Sequence, residues 1–266
     1  MIEAAHGPRR GVALLPSLFT LGNMFCGYAC VIYAMRGDFE TAAPFVGIAI
    51  VLDMLDGRIA RLTGTASEFG VQFDSMADVI SFGMAPAILA FTWGLDQLGR
   101  PGWAAAFLFV TAAALRLARF NIQAAAVDKR YFVGMPSPAA AGVIAATVFA
   151  YPAGLGDPQA AFAAMALVVV PAILMVSTVR FRSFKTFDLQ RRRPFRVLIL
   201  FAAFLILIAW RPDLVLVVMA YTYLASPFIG LAWSRMRRRP VEAPAAVPPA
   251  AAKPGGDAPD SELPLR

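Results

Sequence analysis

Charge, histidine and cysteine are all scarce in this chain. Charged residues make up 15% of the 266 and hydrophobic residues 59%, whereas soluble domains run at about 25% and about 45–50%. Histidine occurs once, as His6, ahead of the first apolar block. One histidine beside a terminus supplies neither a ligand set nor a general base. The two cysteines, Cys26 and Cys30, stand at i, i+4 on one apolar helix. They read as small packing residues, because a metal or redox site needs more ligands or a different context. The period-two alternation with regular turns that marks a membrane barrel is missing. No cleavable signal peptide is expected, since the first apolar block contains Thr20, Asn23 and Gly27 and no small-residue cleavage site follows it. Internal repeats are not evident.

Long apolar blocks are abundant instead, and the mean hydropathy is +0.65. Blocks of this length are transmembrane helices. The fold class expected is all-α, a polytopic membrane helical bundle of eight spans, approximately Ser17–Met35, Ala42–Thr63, Val71–Trp93, Gly102–Ile122, Ser137–Leu155, Ala160–Val179, Phe195–Trp210 and Leu214–Trp233. Span seven is short, so it tilts little or sits partly in the interface. With the N-terminus inside, the outer loops hold Arg36, Arg100 and Arg211, and the rest of the 24 basic residues lie inside or at inside-facing helix ends. That asymmetry follows the positive-inside rule and predicts both termini in the cytoplasm, at the inner membrane of a prokaryote. The net charge of +7 belongs to residues flanking membrane blocks, so anionic lipid headgroups rather than nucleic acid are the expected partners. The run Arg191–Arg193 is expected to contact such lipid, at roughly 1 kcal/mol per basic residue.

Three parts follow: residues 1–16 as a cytoplasmic lead-in, with Arg9–Pro16 a possible interfacial helix; residues 17–239 as the membrane-embedded unit; and residues 240–266, rich in Pro and Ala, as a disordered tail.

Carboxylates are few but concentrated. Asp53, Asp56, Gly57, Ala60 and Arg61 fall on one face of span two, and Gly70, Asp74 and Asp78 on one face of span three. The linker Leu62–Phe69 lets the two helices run antiparallel with these faces meeting near the inside end. A charge at the centre of a membrane helix costs roughly 2.5–3.5 kcal/mol, so four deep, unpaired acids would cost about 10 kcal/mol or more. Arg58 and Arg61 cannot neutralise all four, whereas water and divalent cations can. Convergent carboxylates suit hard cations such as Mg2+, and a lipid-facing metal site suits phosphate chemistry. Gly57 and Gly70 let a bulky ligand approach the backbone, or they serve close helix packing.

The pattern Asp53-x2-Asp56-Gly57-x2-Ala60-Arg61-x8-Gly70-x3-Asp74-x3-Asp78 resembles the complete signature of the CDP-alcohol phosphotransferase family. The stretches Leu14–Tyr28, Ala114–Asn121, Val133–Gly142 and Met175–Lys185 resemble the branch of that family whose acceptor is L-serine. Ser17 departs from the asparagine expected after Pro16, while Thr20 and Asn23 are retained.

The resemblance implies a membrane enzyme that moves a phosphatidyl group from CDP-diacylglycerol to an alcohol, releasing CMP, and that is commonly a homodimer. It implies Asp53, Asp56, Asp74 and Asp78 as ligands of Mg2+ or Mn2+, two ions per site, with Asp78 also the general base. Gly57, Ala60, Arg61 and Gly70 would line the CDP-lipid pocket. Arg61 can equally be an orientation anchor.

For the carboxylate of serine an arginine fork is the natural partner. Arg116 and Arg119 are the candidates, with Asn121 and Ser137 nearby, and Arg182 and Lys185 after span six. Two other readings compete. One is the same chemistry on glycerol phosphate, inositol phosphate or choline; a phosphorylated acceptor would need a tighter basic cluster. The other is a carboxylate-lined ion transporter, which would show paired broken helices. Gly83 and Pro86 interrupt span three without a counterpart.

Overall fold

The computed structural model describes residues 10–64, 67–124, 132–177, 180–181, 199, 202–203 and 206–236. Within them the chain is a helical bundle. Its helices are α1 (Arg10–Met35), α2 (Phe39–Thr63), α3 (Glu68–Asp78), α4 (Ala85–Trp93), α5 (Arg100–Ala124), α6 (Ser137–Ala150), α7 (Pro158–Val176) and α8 (Pro212–Met236). A π-helical segment, Val79–Met84, joins α3 to α4, and a 3-10 turn, Leu95–Leu98, precedes α5.

Local chemistry sets the helix ends. Asp38 accepts from Thr41 N, Ser67 from Gly70 N and Asp157 from Gln159 N, capping α2, α3 and α7. Gly64 ends α2 in the left-handed conformation at φ +64°, which only glycine adopts without cost.

The core is built from small residues. Ala42, Ala43, Val46 and Ala49 of α2 are buried together with Cys26, Cys30 and Ala34 of α1, so the two backbones approach closely. Both cysteines are free and buried, as packing residues should be. α1 packs along α2, α5 on α7, and α6 on both α2 and α8. At the end of the bundle away from the acids, Trp93 Nε1 donates to Tyr151 O at 2.8 Å and Leu155 N donates to Trp93 O at 2.8 Å.

Four described stretches are long and apolar enough to cross a membrane: Ser17–Met35, Glu68–Trp93, Arg100–Ile122 and Pro158–Val176. They correspond to spans one, three, four and six, and Ser137–Ala150 and Pro212–Ser226 are shorter apolar helices. Some boundaries differ from expectation. α6 stops at Ala150 rather than Leu155, because apolar character continues past Pro152 and Gly154, where the helix cannot. α7 ends at Val176 instead of Val179. α1 begins at Arg10, so most of the Arg9–Pro16 stretch is continuous with the first span. Half of span seven, the Arg191–Arg193 run, Arg182, Lys185 and the tail from Pro240 lie outside the described residues.

One feature was not anticipated. Phe132–Val133 and Arg180–Phe181 pair antiparallel, Phe132 opposite Phe181 and Val133 opposite Arg180, joining the connections after α5 and α7. Gly134 follows at φ +88°, and a Cβ there would meet Met175 O at 2.5 Å. Met135 N donates to Leu174 O at 3.0 Å. The Gly134–Met135 turn is thereby pinned to the end of α7, which sets where α6 begins. Its first residue, Ser137, is fully buried.

Candidate active site

α2 and α3 bring three of the four aspartates together. One carboxylate oxygen from each of Asp53, Asp56 and Asp74 lies within 4.8 Å of the others. Asp78, one turn beyond Asp74, is not part of this group of three. α1 contributes the hydrogen bonds that hold the set from behind. Thr20 Oγ1 donates to Asp56 Oδ2 at 3.1 Å, and Asn23 Nδ2 donates to Asp78 Oδ1 at 3.2 Å. Asp56, Asp78, Thr20 and Asn23 are all buried, while Asp53 and Asp74 are half-buried.

The donor set fits a divalent cation. Two unit charges about 5 Å apart repel by roughly 3 kcal/mol at an effective dielectric of about 20, so three gathered carboxylates require a counter-charge. Among the described residues, the ion pair within 4.0 Å is Arg211–Asp213, which involves none of these acids. Asp74 Oδ1 is buried with no hydrogen-bond partner among the described residues. Oxygen ligands from several carboxylates are what Mg2+ and Mn2+ take.

The glycines differ. A Cβ at Gly57 would meet nothing within 4 Å, so this position faces open space beside the acids. A Cβ at Gly70 would lie 3.1 Å from Ser67 Oγ, the cap of α3. Ala60 is half-buried. Arg61 is exposed and folds back on its own helix, its Nε donating to Gly57 O at 2.8 Å.

The four acceptor candidates separate. Arg116 Nη1 donates to Ser137 Oγ at 2.7 Å, joining α5 to the start of α6. The same guanidinium acts electrostatically on Asp78 and Asp53, and on the phenol of Tyr223 in α8. Arg119, three residues along the same helix, is exposed. Asn121 Nδ2 donates to Ser75 Oγ at 2.9 Å, next to Asp74 in sequence. The structure thus joins Arg116, within electrostatic reach of Asp78 and Asp53, to Ser137 and ties Asn121 to α3, but leaves Arg119 at the surface.

Sequence reasoning passed over Ser75, Ser81 and Tyr223. Ser81 is buried in the π-helical segment and its Oγ donates to Asn23 O at 2.9 Å. A Cβ at Gly27 of α1 would sit 2.8 Å from Ser81 Cα, so α1 touches this segment backbone to backbone. A serine within an apolar run gives little signal; the small residue opposite it, Gly27, was the available hint.

Comparison with known proteins agrees with this geometry. The family model for CDP-alcohol phosphatidyltransferases matches residues 13–179. A CDP-diacylglycerol–serine O-phosphatidyltransferase of Helicobacter pylori (strain ATCC 700392 / 26695) is 39% identical over 208 residues, covering 77% of this chain and 85% of the relative. Its counterpart in Mycobacterium leprae (strain TN) is 31% identical over 224 residues, 81% of this chain and 74% of the relative. An archaetidylserine synthase of Methanothermobacter thermautotrophicus is 33% identical over 174 residues, 63% of this chain and 69% of the relative. The matched region contains α2 and α3 with every acid of the cluster, and this polytopic helical membrane protein belongs to the CDP-alcohol phosphatidyltransferase family.

Proposed function

We propose that the protein transfers the phosphatidyl group of CDP-diacylglycerol to the hydroxyl of L-serine, giving phosphatidylserine and CMP. The observation that carries this reading is the convergence of Asp53, Asp56 and Asp74 from α2 and α3, with no salt bridge to any of them among the described residues. The printed names of the relatives supply the acceptor, serine, across both diacyl and archaeal lipids.

The family uses divalent cations. Asp53, Asp56 and Asp74, with Asp78 beside them, would hold Mg2+ or Mn2+, two ions per site. When bound, the cations neutralise the pyrophosphate and the charge that develops on the leaving group. The remaining chemistry belongs to the chain. Asp78 accepts the proton of the serine hydroxyl as its oxygen attacks the β-phosphorus. The bond from that phosphorus to the bridging oxygen breaks, and CMP leaves. Open space at Gly57 admits the nucleotide and its phosphates, with Ala60, Arg61 and Gly70 lining the same side. Arg116, oriented by Ser137, binds the serine carboxylate, and Asn121 supports the acceptor side through Ser75. Arg119, being exposed, is a weaker candidate than Arg116.

Residues 17–239 form the catalytic unit, in the inner membrane of a prokaryote, with both termini cytoplasmic, anionic lipid at the basic inner ends and a homodimer as the assembly. The positive-inside asymmetry supports the orientation.

The test is CMP release by purified protein in detergent with CDP-diacylglycerol and Mg2+ or Mn2+. L-serine is compared with glycerol 3-phosphate, inositol 1-phosphate and choline. Release with serine alone is expected. Release with another acceptor only would keep the metal site and overturn serine.

A further inference from the structure

Asn23 is fully buried in α1, and among the described residues its side chain has one hydrogen-bond partner, the Asp78 carboxylate, reached by Nδ2 at 3.2 Å. The other end of the amide, Oδ1, is buried with no hydrogen-bond partner among the described residues. An unsatisfied buried carbonyl carries its full desolvation penalty. Turning the amide over would not relieve this, since Oδ1 would then face the Asp78 oxygen. The orientation is therefore dictated by Asp78. The backbone of Asn23 is fixed independently: Ser81 Oγ donates to its carbonyl at 2.9 Å, and the close approach of Gly27 to Ser81 locks α1 against the segment that follows Asp78. Asp78 thus has one oxygen engaged by α1, beside but outside the 4.8 Å group of Asp53, Asp56 and Asp74.

The geometry points to Asn23 as a positioning residue for the transfer step: by occupying Asp78 Oδ1 it leaves Oδ2 to take the proton of the attacking hydroxyl. This rests on the transferase reading above. The step balances as there: the proton passes from the acceptor oxygen to Asp78 Oδ2, the new bond forms at the β-phosphorus, and CMP departs with the electrons of the broken bond. Buried donors that orient a reacting carboxylate act through geometry.

The experiment is a double-mutant cycle on the full chain in detergent, with Asn23→Ala, Asp78→Asn and the pair together, reading kcat and both KM values from CMP release. Asn23→Leu, which keeps the volume but not the donor, guards against a cavity effect. Melting temperature and Mn2+ binding, followed by electron paramagnetic resonance, are measured alongside. Asn23→Ala and Asn23→Leu are expected to lower kcat by about 10- to 100-fold. KM values and Mn2+ affinity should stay within about twofold, and the Ala change should add less than about threefold once Asp78 is already Asn. A full, multiplicative loss in the Asp78→Asn background would overturn the inference. So would a parallel fall in Mn2+ affinity, or wild-type kcat in Asn23→Leu. Absence of CMP release from the unsubstituted protein with any acceptor would overturn the transferase reading itself, and this inference with it.

Discussion

The Arg116 guanidinium donates to the Ser137 hydroxyl over 2.7 Å, tying the C-terminal half of α5 to the first residue of α6. If Arg116 holds the acceptor's carboxylate, Arg116→Ala raises the KM for L-serine by at least about tenfold and leaves the KM for CDP-diacylglycerol nearly unchanged. Arg116→Lys rescues it only in part, because an ammonium cannot form the planar fork. Arg119→Ala, at an exposed position, leaves both constants near wild type. Steady-state kinetics with varied serine separates these outcomes.

Removing one ligand from the cluster should cost more than rate. Asp53→Asn and Asp74→Asn are each expected to lower CMP release by on the order of 10²-fold or more. They should also abolish the rise in melting temperature that Mn2+ produces, since a ligand bound only by the folded state stabilises it. Chelation should silence the wild-type enzyme, and readded Mn2+ should restore it. A thermal shift by Mn2+ that survives both substitutions would move the metal elsewhere.

Gly27 and Gly57 separate packing from binding. A methyl group at Gly27 meets the Ser81 backbone at 2.8 Å, so Gly27→Ala should destabilise the protein by about 1–3 kcal/mol through overpacking. A methyl group at Gly57 meets nothing within 4 Å. Gly57→Ala should therefore melt no lower than wild type, and a helix-interior Gly→Ala change of this kind gains roughly 0.5–1 kcal/mol. Its effect belongs in a raised KM for the CDP-lipid. Melting curves and kinetics on the two variants decide the assignment.

Orientation is open to a direct test. Alkaline phosphatase fused after Gly154, in the connection that meets Trp93, should be active in cells. The same enzyme fused after Met236 should be inactive under the proposed orientation with both termini inside. Reversed activities would place the acids on the outer side.

Much of the site was legible because helical spacing is rigid. Asp53 and Asp56, like Asp74 and Asp78, lie on shared faces by arithmetic alone. The caps at Ser67 and Asp157 are equally local, yet the sequence reading places Ser67 in a linker and begins span six after Asp157. What spacing could not give was contact between distant segments. Arg116 and Arg119 look equivalent at i, i+3, yet one turns toward Ser137 and the other toward the surface. The Phe132–Phe181 pairing joins connections that follow different helices, and nothing in either stretch announces the other. Leu155 seemed part of a span because hydrophobicity alone does not tell a helix from a turn, and here the half-buried Leu155 packs against Trp93 in a turn.

The widened turn between Asp78 and Ala85 has its own consequence. Its backbone bonds reach five residues back, as from Ala85 N to Ile80 O, so the crossing carries surplus chain at one level. The angular phase of α3 is thereby uncoupled from that of α4: the lower half aims acids at the site, while the upper half seats Leu89 and Trp93 in the core. Deleting one residue here would swing one half by about 100° relative to the other. Between Val79 and Met84, then, the chain should be more sensitive to its length than to most changes in its letters.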